Sequence, residues 1–112
     1  MLGVRSKISG LYAVTPDESD TGLLTAKVCD ALAGGAAVVQ YRNKTADAAL
    51  RLAQATALFK ACRGHEVPLI INDHVELALE IDADGVHLGG EDGSIAAARK
   101  KLGPNKILGA SC

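Results

Sequence analysis

Five short apolar runs, each separated from the next by a helical pattern, constrain this chain more than any other feature. They are Leu11–Val14, Ala37–Val39, Leu69–Ile71, Gly85–Leu88 and Lys106–Leu108. Each is bounded by turn residues and is too short for a helix, so each reads as a strand. The apolar residues run together rather than alternate, as in strands covered on both faces.

The segments between them carry helical spacing. Over Asp20–Ala33, Leu24, Val28 and Ala31 share a face, and Gly34-Gly35 stops the helix. Over Thr45–Arg63, Leu52, Ala55, Phe59 and Cys62 recur at intervals of three and four, with Thr45 as N-cap and Gly64 as the stop. A turn or two of helix follows Asp73 over Val75–Ile81. Ile95, Ala98 and Leu102 form the stripe of Ser94–Leu102, which Gly103-Pro104 ends. The order βαβαβαβαβ means a parallel sheet with right-handed crossovers. No linker, low-complexity tract or charge block interrupts it, so it is one domain or a piece of one. Two architectures fit: a doubly wound sheet, and an arc of a (β/α)8 barrel, which needs about 250 residues where this chain has 112. Strand counting alone does not separate them.

Charge narrows the partners. Twelve Lys and Arg stand against 13 Asp and Glu, a net charge of −1, which excludes the electrostatics of a typical nucleic-acid or membrane-surface protein. The apolar runs are far too short to cross a bilayer, and Met1–Ser9 has no apolar stretch resembling a secretory signal. Three cysteines, Cys29, Cys62 and Cys112, have no CxxC spacing. They read as free thiols in a reducing compartment, hence the cytoplasm.

The polar residues gather just after each strand: Thr15-Pro16-Asp17, Gln40 through Lys44, Asn72-Asp73, Gly89 through Asp92, and Ser111-Cys112. In a parallel sheet all strand C-termini share one rim, where both architectures bind ligands. Gln40, Arg42 and Lys44 are spaced by two, so an extended chain turns all three one way. A carboxamide and two cations suit a ligand with a hydrogen-bonding head and an anionic tail; the alternative is two solvated cations. Asp73 and Asp92 close successive strands. Two carboxylates opposite two cations either pair as ion bridges or hold Mg²⁺, which takes one or two carboxylates plus phosphate oxygens and water. Glu91 reads as solvated and His87 as a packed core histidine. No nucleophile elbow, Walker A, GxGxxG or HxxxH is present.

In order, Leu11–Asp17, Val39–Lys44, Leu69–Asp73, Ala83–Gly89 with Glu91-Asp92, and Ile107–Ser111 resemble the thiamine-phosphate synthase family. The resemblance implies an α/β fold of the TIM (β/α)8 barrel family. Here that means an incomplete barrel of five parallel strands and four helices, with residues 1–112 as the N-terminal portion of a single barrel domain cut after the fifth strand. It implies a transferase that condenses hydroxymethylpyrimidine diphosphate with thiazole phosphate, giving thiamine phosphate and pyrophosphate. Gln40, Arg42, Lys44, Asn72 and Ser111 would bind the pyrimidine diphosphate, and Asp73 and Asp92 would coordinate Mg²⁺.

The implied reaction needs no protein nucleophile or acid–base residue. Neutralised diphosphate leaves, the aminopyrimidine stabilises its exocyclic methylene, and the thiazole nitrogen captures that carbon. Gly90 stands where the family more usually has glutamine. The three further strands that carry the thiazole-phosphate loops do not follow Cys112, so the chain is expected to be inactive alone and to associate with itself or a completing chain. Two alternatives remain. A thiazole tautomerase relative would not need the diphosphate set Gln40, Lys44, Asp73 and Asp92, whereas a non-catalytic binding module would have a doubly wound sheet.

Overall fold

The computed structural model describes residues 3–7, 10–89 and 92–111, with side chains for 12–89 and 96–109. Glu91, Gly90 and Cys112 lie outside the described residues, as do the side chains of Asp92, Ile95 and Ser111. The elements run β1 (Gly3–Lys7), β2 (Gly10–Val14), α1 (Thr21–Ala33), β3 (Ala36–Tyr41), α2 (Ala48–Gly64), β4 (Leu69–Asn72), α3 (Val75–Ile81), β5 (Gly85–Gly89), α4 (Asp92–Leu102) and β6 (Ile107–Ser111).

All six strands form one sheet in the order β1-β2-β3-β4-β5-β6. β2 to β6 pair in parallel, giving the five parallel strands and four helices expected. A doubly wound sheet reverses its strand order at a switch point; this one does not reverse. Every crossover steps the same way, and the right-handed rule then puts the helices on one face. Consistent with that, α1 packs on α2, α2 on α3 and α3 on α4.

The sixth strand was not expected. β1 pairs antiparallel to β2, from Gly3 opposite Val14 to Lys7 opposite Gly10. Its sequence GVRSK has no apolar run, because an edge strand has only one neighbour and tolerates charge. The parallel strands also extend past their apolar cores, so Asn72 and Ser111 are the last residues of β4 and β6 rather than loop residues.

Strand alternation sorts the side chains into two faces. Val39, Tyr41, Leu69, Ile71, Val86 and Leu88 meet Leu24, Val28, Leu58, Ala78, Ala98 and Leu102 of the helices in the main core. The opposite parity puts Tyr12, Gln40, Ile70, Asn72 and His87 on the other face. Here β5 and β6 approach closely: a Cβ on Gly85 would lie 2.2 Å from the Ile107 carbonyl oxygen and 2.6 Å from its Cβ.

Two helix faces differ from the periodicity. α1 buries Leu32, not Ala31, beside Leu24 and Val28; Gly34 caps it, and Gly35 follows at φ 99°, a conformation glycine adopts freely. α2 starts at Ala48 because Asp47, not Thr45, caps it, accepting from the Leu50 N–H at 2.8 Å. His65, not Gly64, is its C-cap residue. The buried stripe of α2 is Gln54, Ala55, Leu58 and Cys62, while Leu52 is exposed and Phe59 half-buried. A buried glutamine rotates this face, since its amide bonds Tyr41 of β3 and the loops at Glu18 and Asn43. α3 spans Val75–Ile81 as expected, and α4 begins two residues earlier than its stripe, at Asp92.

Candidate functional site

The C-terminal ends of β2, β3, β4 and β5 are tied by one line of hydrogen bonds. The Tyr12 hydroxyl donates to Gln40 Oε1. Gln40 Nε2 donates to Asn72 Oδ1 at 3.2 Å, and Asn72 Nδ2 donates to Asp73 Oδ2 at 3.3 Å. The Asp73 N–H donates to the His87 carbonyl at 2.8 Å. Gln40 is only 5% exposed, so its amide is fixed by these bonds rather than by water. Gln40, Asn72 and Asp73 therefore meet, as the sequence predicted.

Asp73 leaves the strand in a strained turn. Its φ is 64°, and the His74 N–H closes a three-residue turn on the Asn72 carbonyl at 2.8 Å. A non-glycine residue held left-handed costs of order 1 kcal/mol and persists where its surroundings fix it. The turn leaves the carboxylate exposed at the rim. Among the described residues no Lys or Arg lies within ion-pair distance of Asp73, so the ion-bridge alternative is not realised there.

Arg42 and Lys44 follow β3 in the next loop. Their side chains were expected to continue the alternation of Gln40, but β3 ends at Tyr41 and Lys44 lies in a bend. Thr15 clasps Arg42: its Oγ1 donates to the Arg42 carbonyl at 3.1 Å and accepts the Arg42 N–H at 2.9 Å. The Lys44 N–H donates to Asp17 Oδ1 at 3.0 Å. The Arg42 guanidinium reaches the same Asp17 oxygen only at 3.9 Å, with both side chains about one-third exposed. Such an ion pair is weak, which leaves the guanidinium available to an anion. The Lys44 side chain is exposed and has no carboxylate within 4.0 Å among the described residues.

Asp92 opens α4, just past β5, and Ser111 ends β6 opposite Gly89. Both positions are on the same rim, with side chains outside the described set. Among the described residues no three His, Cys, Asp or Glu side chains cluster as a metal cage. The exposed Asp73 carboxylate fits an ion that takes one or two carboxylates and completes its shell with ligand oxygens and water.

Two rim residues were missed. Tyr12 lies within the Leu11–Asp17 stretch but carries no role there, and His87 was expected in the core. Instead His87 is half-buried and flanked by the core residues Val86 and Leu88, which point the other way. Its Cα partner is Asn72, and a Cβ on Gly109 would stand 3.2 Å from His87 Cδ2. The signal lay in strand parity: both share the register of Gln40 and Asn72.

A separate cavity of about 680 Å³ opens between α2 and α3, lined by Ala48, Leu52, His74, Val75 and Leu77 among others. Of the rim residues only Asp73 reaches it. Burial, then Arg51, pushes the His74 imidazole below its ordinary pKa. Cys29 is exposed and Cys62 buried, both free, and burial pushes the Cys62 thiol up to about 12. No helix among the described residues is long and apolar enough to cross a membrane.

A family model described as thiamine monophosphate synthase matches residues 11–112. A thiamine-phosphate synthase from Nitrosospira multiformis is 57% identical over 108 residues, which are 96% of this chain and 46% of that protein. One from Janthinobacterium is 55% identical over 109 residues, 97% of this chain and 53% of the relative. The solved thiamine phosphate pyrophosphorylase of Pyrococcus furiosus superposes with a TM-score of 0.78 at 35% identity, covering 90% of this chain and 48% of that one. The chain thus spans about half the length of the curated relatives it matches. Over that span, the motifs at its strand ends, the parallel sheet and the sequence identity agree: the chain belongs to the thiamine monophosphate synthase family.

Proposed function

We propose that this chain is the pyrimidine-diphosphate half of a thiamine-phosphate synthase. The complete reaction would join hydroxymethylpyrimidine diphosphate to thiazole phosphate and release pyrophosphate. The observation that carries the reading is the hydrogen-bonded line from Tyr12 through Gln40 and Asn72 to Asp73, with Arg42 and Lys44 on the adjoining loop.

Each residue has a task its chemistry suits. Gln40 and Asn72 present amide donors and acceptors to a heteroaromatic ring, already oriented by each other. Arg42 and Lys44 take the diphosphate, the first as a planar fork and the second as a mobile charge. Ser111, at the end of β6, would add a hydroxyl to the same ligand. Asp73 and Asp92 would hold Mg²⁺, which when bound supplies charge neutralisation to the departing diphosphate. No residue needs to move a proton, so the reading requires no nucleophile or acid–base residue.

The sequential strand order and the one-way stacking of helices support the TIM-barrel reading, with residues 1–112 as an N-terminal arc of a single barrel domain. The remaining strands would supply the thiazole-phosphate site. A net charge of −1 and free cysteines suit a cytoplasmic enzyme without nucleic-acid partners. The tautomerase alternative leaves the cations and Asp73 without a task.

Calorimetry tests the reading. Hydroxymethylpyrimidine diphosphate should bind the folded chain only with Mg²⁺ present, and Asp73→Asn should remove most of the Mg²⁺ dependence. Equal affinity with and without Mg²⁺ would refute it.

A further inference from the structure

Behind the two rim cations, on the helix side of the sheet, lies a set of hydrogen bonds around two buried amides, Asn43 and Gln54. Asn43 stands between Arg42 and Lys44 and is only 5% exposed. Its Nδ2 donates to Gln54 Oε1 and to the Glu18 carbonyl, both at 3.0 Å. Its Oδ1 accepts from the Thr45 N–H at 3.1 Å and the Thr45 hydroxyl at 3.0 Å. Those four bonds exhaust the capacity of a carboxamide. Gln54, 0% exposed on α2, also accepts from the Tyr41 hydroxyl at 2.7 Å and donates to the Glu18 carbonyl at 2.6 Å.

This set has a cost that core packing alone does not explain. A polar side chain fully buried in the main core is tolerated only when its partners are complete, and an apolar residue of equal size would otherwise serve. Every bond of Gln54 runs to the segments that carry or flank the cations: Tyr41 before Arg42, Asn43 between the pair, and Glu18 in the loop whose Asp17 binds the Lys44 N–H.

We propose that Gln54 and Asn43 are positioning residues for anion recognition: from behind the sheet they fix the Arg42–Lys44 loop in the shape that grips a diphosphate. Neither touches the ligand. The inference rests on the functional reading above and deepens it, adding determinants of diphosphate affinity on the helix side of the sheet, behind the cations. Fixing the loop in advance removes an ordering cost that binding would otherwise bear.

The test uses the full 112-residue chain, with inorganic pyrophosphate and Mg²⁺ as the probe. Affinity is measured for the unaltered chain, Gln54→Met and Thr45→Val, together with amide exchange at Lys44 and Thr45. Gln54→Met keeps the volume and removes every bond of the amide. It is expected to weaken pyrophosphate about tenfold, the scale of a misplaced binding group. Exchange should accelerate at Lys44 and Thr45 while Ile71 and Val86 keep their protection. Thr45→Val removes one half-buried bond to Asn43 and is expected to weaken binding about threefold, less than one hydrogen bond's worth. Unchanged affinity in Gln54→Met, even with a lowered melting temperature, would overturn the inference and leave the functional reading standing. If Gln54→Met does not fold, unchanged affinity in Thr45→Val overturns it equally. Failure of the unaltered chain to bind pyrophosphate overturns the functional reading, and this inference with it.

Discussion

Adding one methyl group at Gly85 tests the register of the last two strands. An alanine Cβ there would lie 2.2 Å from the Ile107 carbonyl oxygen and 2.6 Å from Ile107 Cβ. The first obstacle is backbone, so no rotamer change relieves it. β6 must retreat by about 1 Å to restore an ordinary contact distance. That retreat loosens the adjoining bond from the Ile107 N–H to the Asp84 carbonyl, now 2.9 Å. One weakened ladder bond costs about 1 kcal/mol, and overpacking strain adds about 2 kcal/mol. A loss of about 3 kcal/mol lowers the melting temperature of a domain this size by about 12 °C.

Gly109→Ala is the paired control. Its added Cβ would meet only the His87 ring, at 3.2 Å, a side chain that can yield. Urea and thermal melts followed by far-ultraviolet circular dichroism should therefore separate the two variants, with Gly109→Ala losing about 1 kcal/mol or less. Equal stabilities, or a Gly85→Ala chain as stable as the parent, would refute the β5–β6 register and the placement of His87 and Ser111 that depends on it.

Three further outcomes are expected. Lys44→Ala removes an exposed cation with no partner carboxylate among the described residues, so pyrophosphate affinity measured by calorimetry should fall about tenfold or more, with melting unchanged. Asp47→Ala removes the α2 cap and should cost about 1 kcal/mol in a urea melt, whereas Thr45→Val, which does not touch the cap, should cost less. Burial pushes the Tyr41 hydroxyl up to about 12, above its ordinary value of 10. Its contribution to stability is whole below pH 10 and is lost as pH rises through about 12; Tyr41→Phe should flatten that part of the alkaline decline, leaving the share owed to Cys62.

Much of this arrangement was legible in the chain because parallel strands announce themselves by short apolar runs and their ends by polar clusters. Gln40, Asn72 and Asp73 meet as their positions foretold. What escaped has identifiable physical causes. β1 is an edge strand with no apolar run, and only its pairing with β2 reveals it. His87 sits between two core residues, so local hydrophobicity hides it, yet parity sends it to the opposite face. α2 misled because Gln54 is buried by hydrogen bonds from outside its own helix, which helical periodicity cannot register. Thr45 looks like an N-cap but is occupied by Asn43, and Asp47 takes the role instead.

On the proposed reading the rim, not the α2–α3 cavity, receives a pyrimidine diphosphate. Amide chemical-shift mapping of the chain with Mg²⁺ and hydroxymethylpyrimidine diphosphate tests it most directly. Shifts should centre on Gln40, Arg42, Lys44, Asn72 and Asp73 and vanish when Mg²⁺ is chelated. Shifts confined to Ala48, Leu52 and Val75 around the cavity, or none in a folded sample, would contradict it.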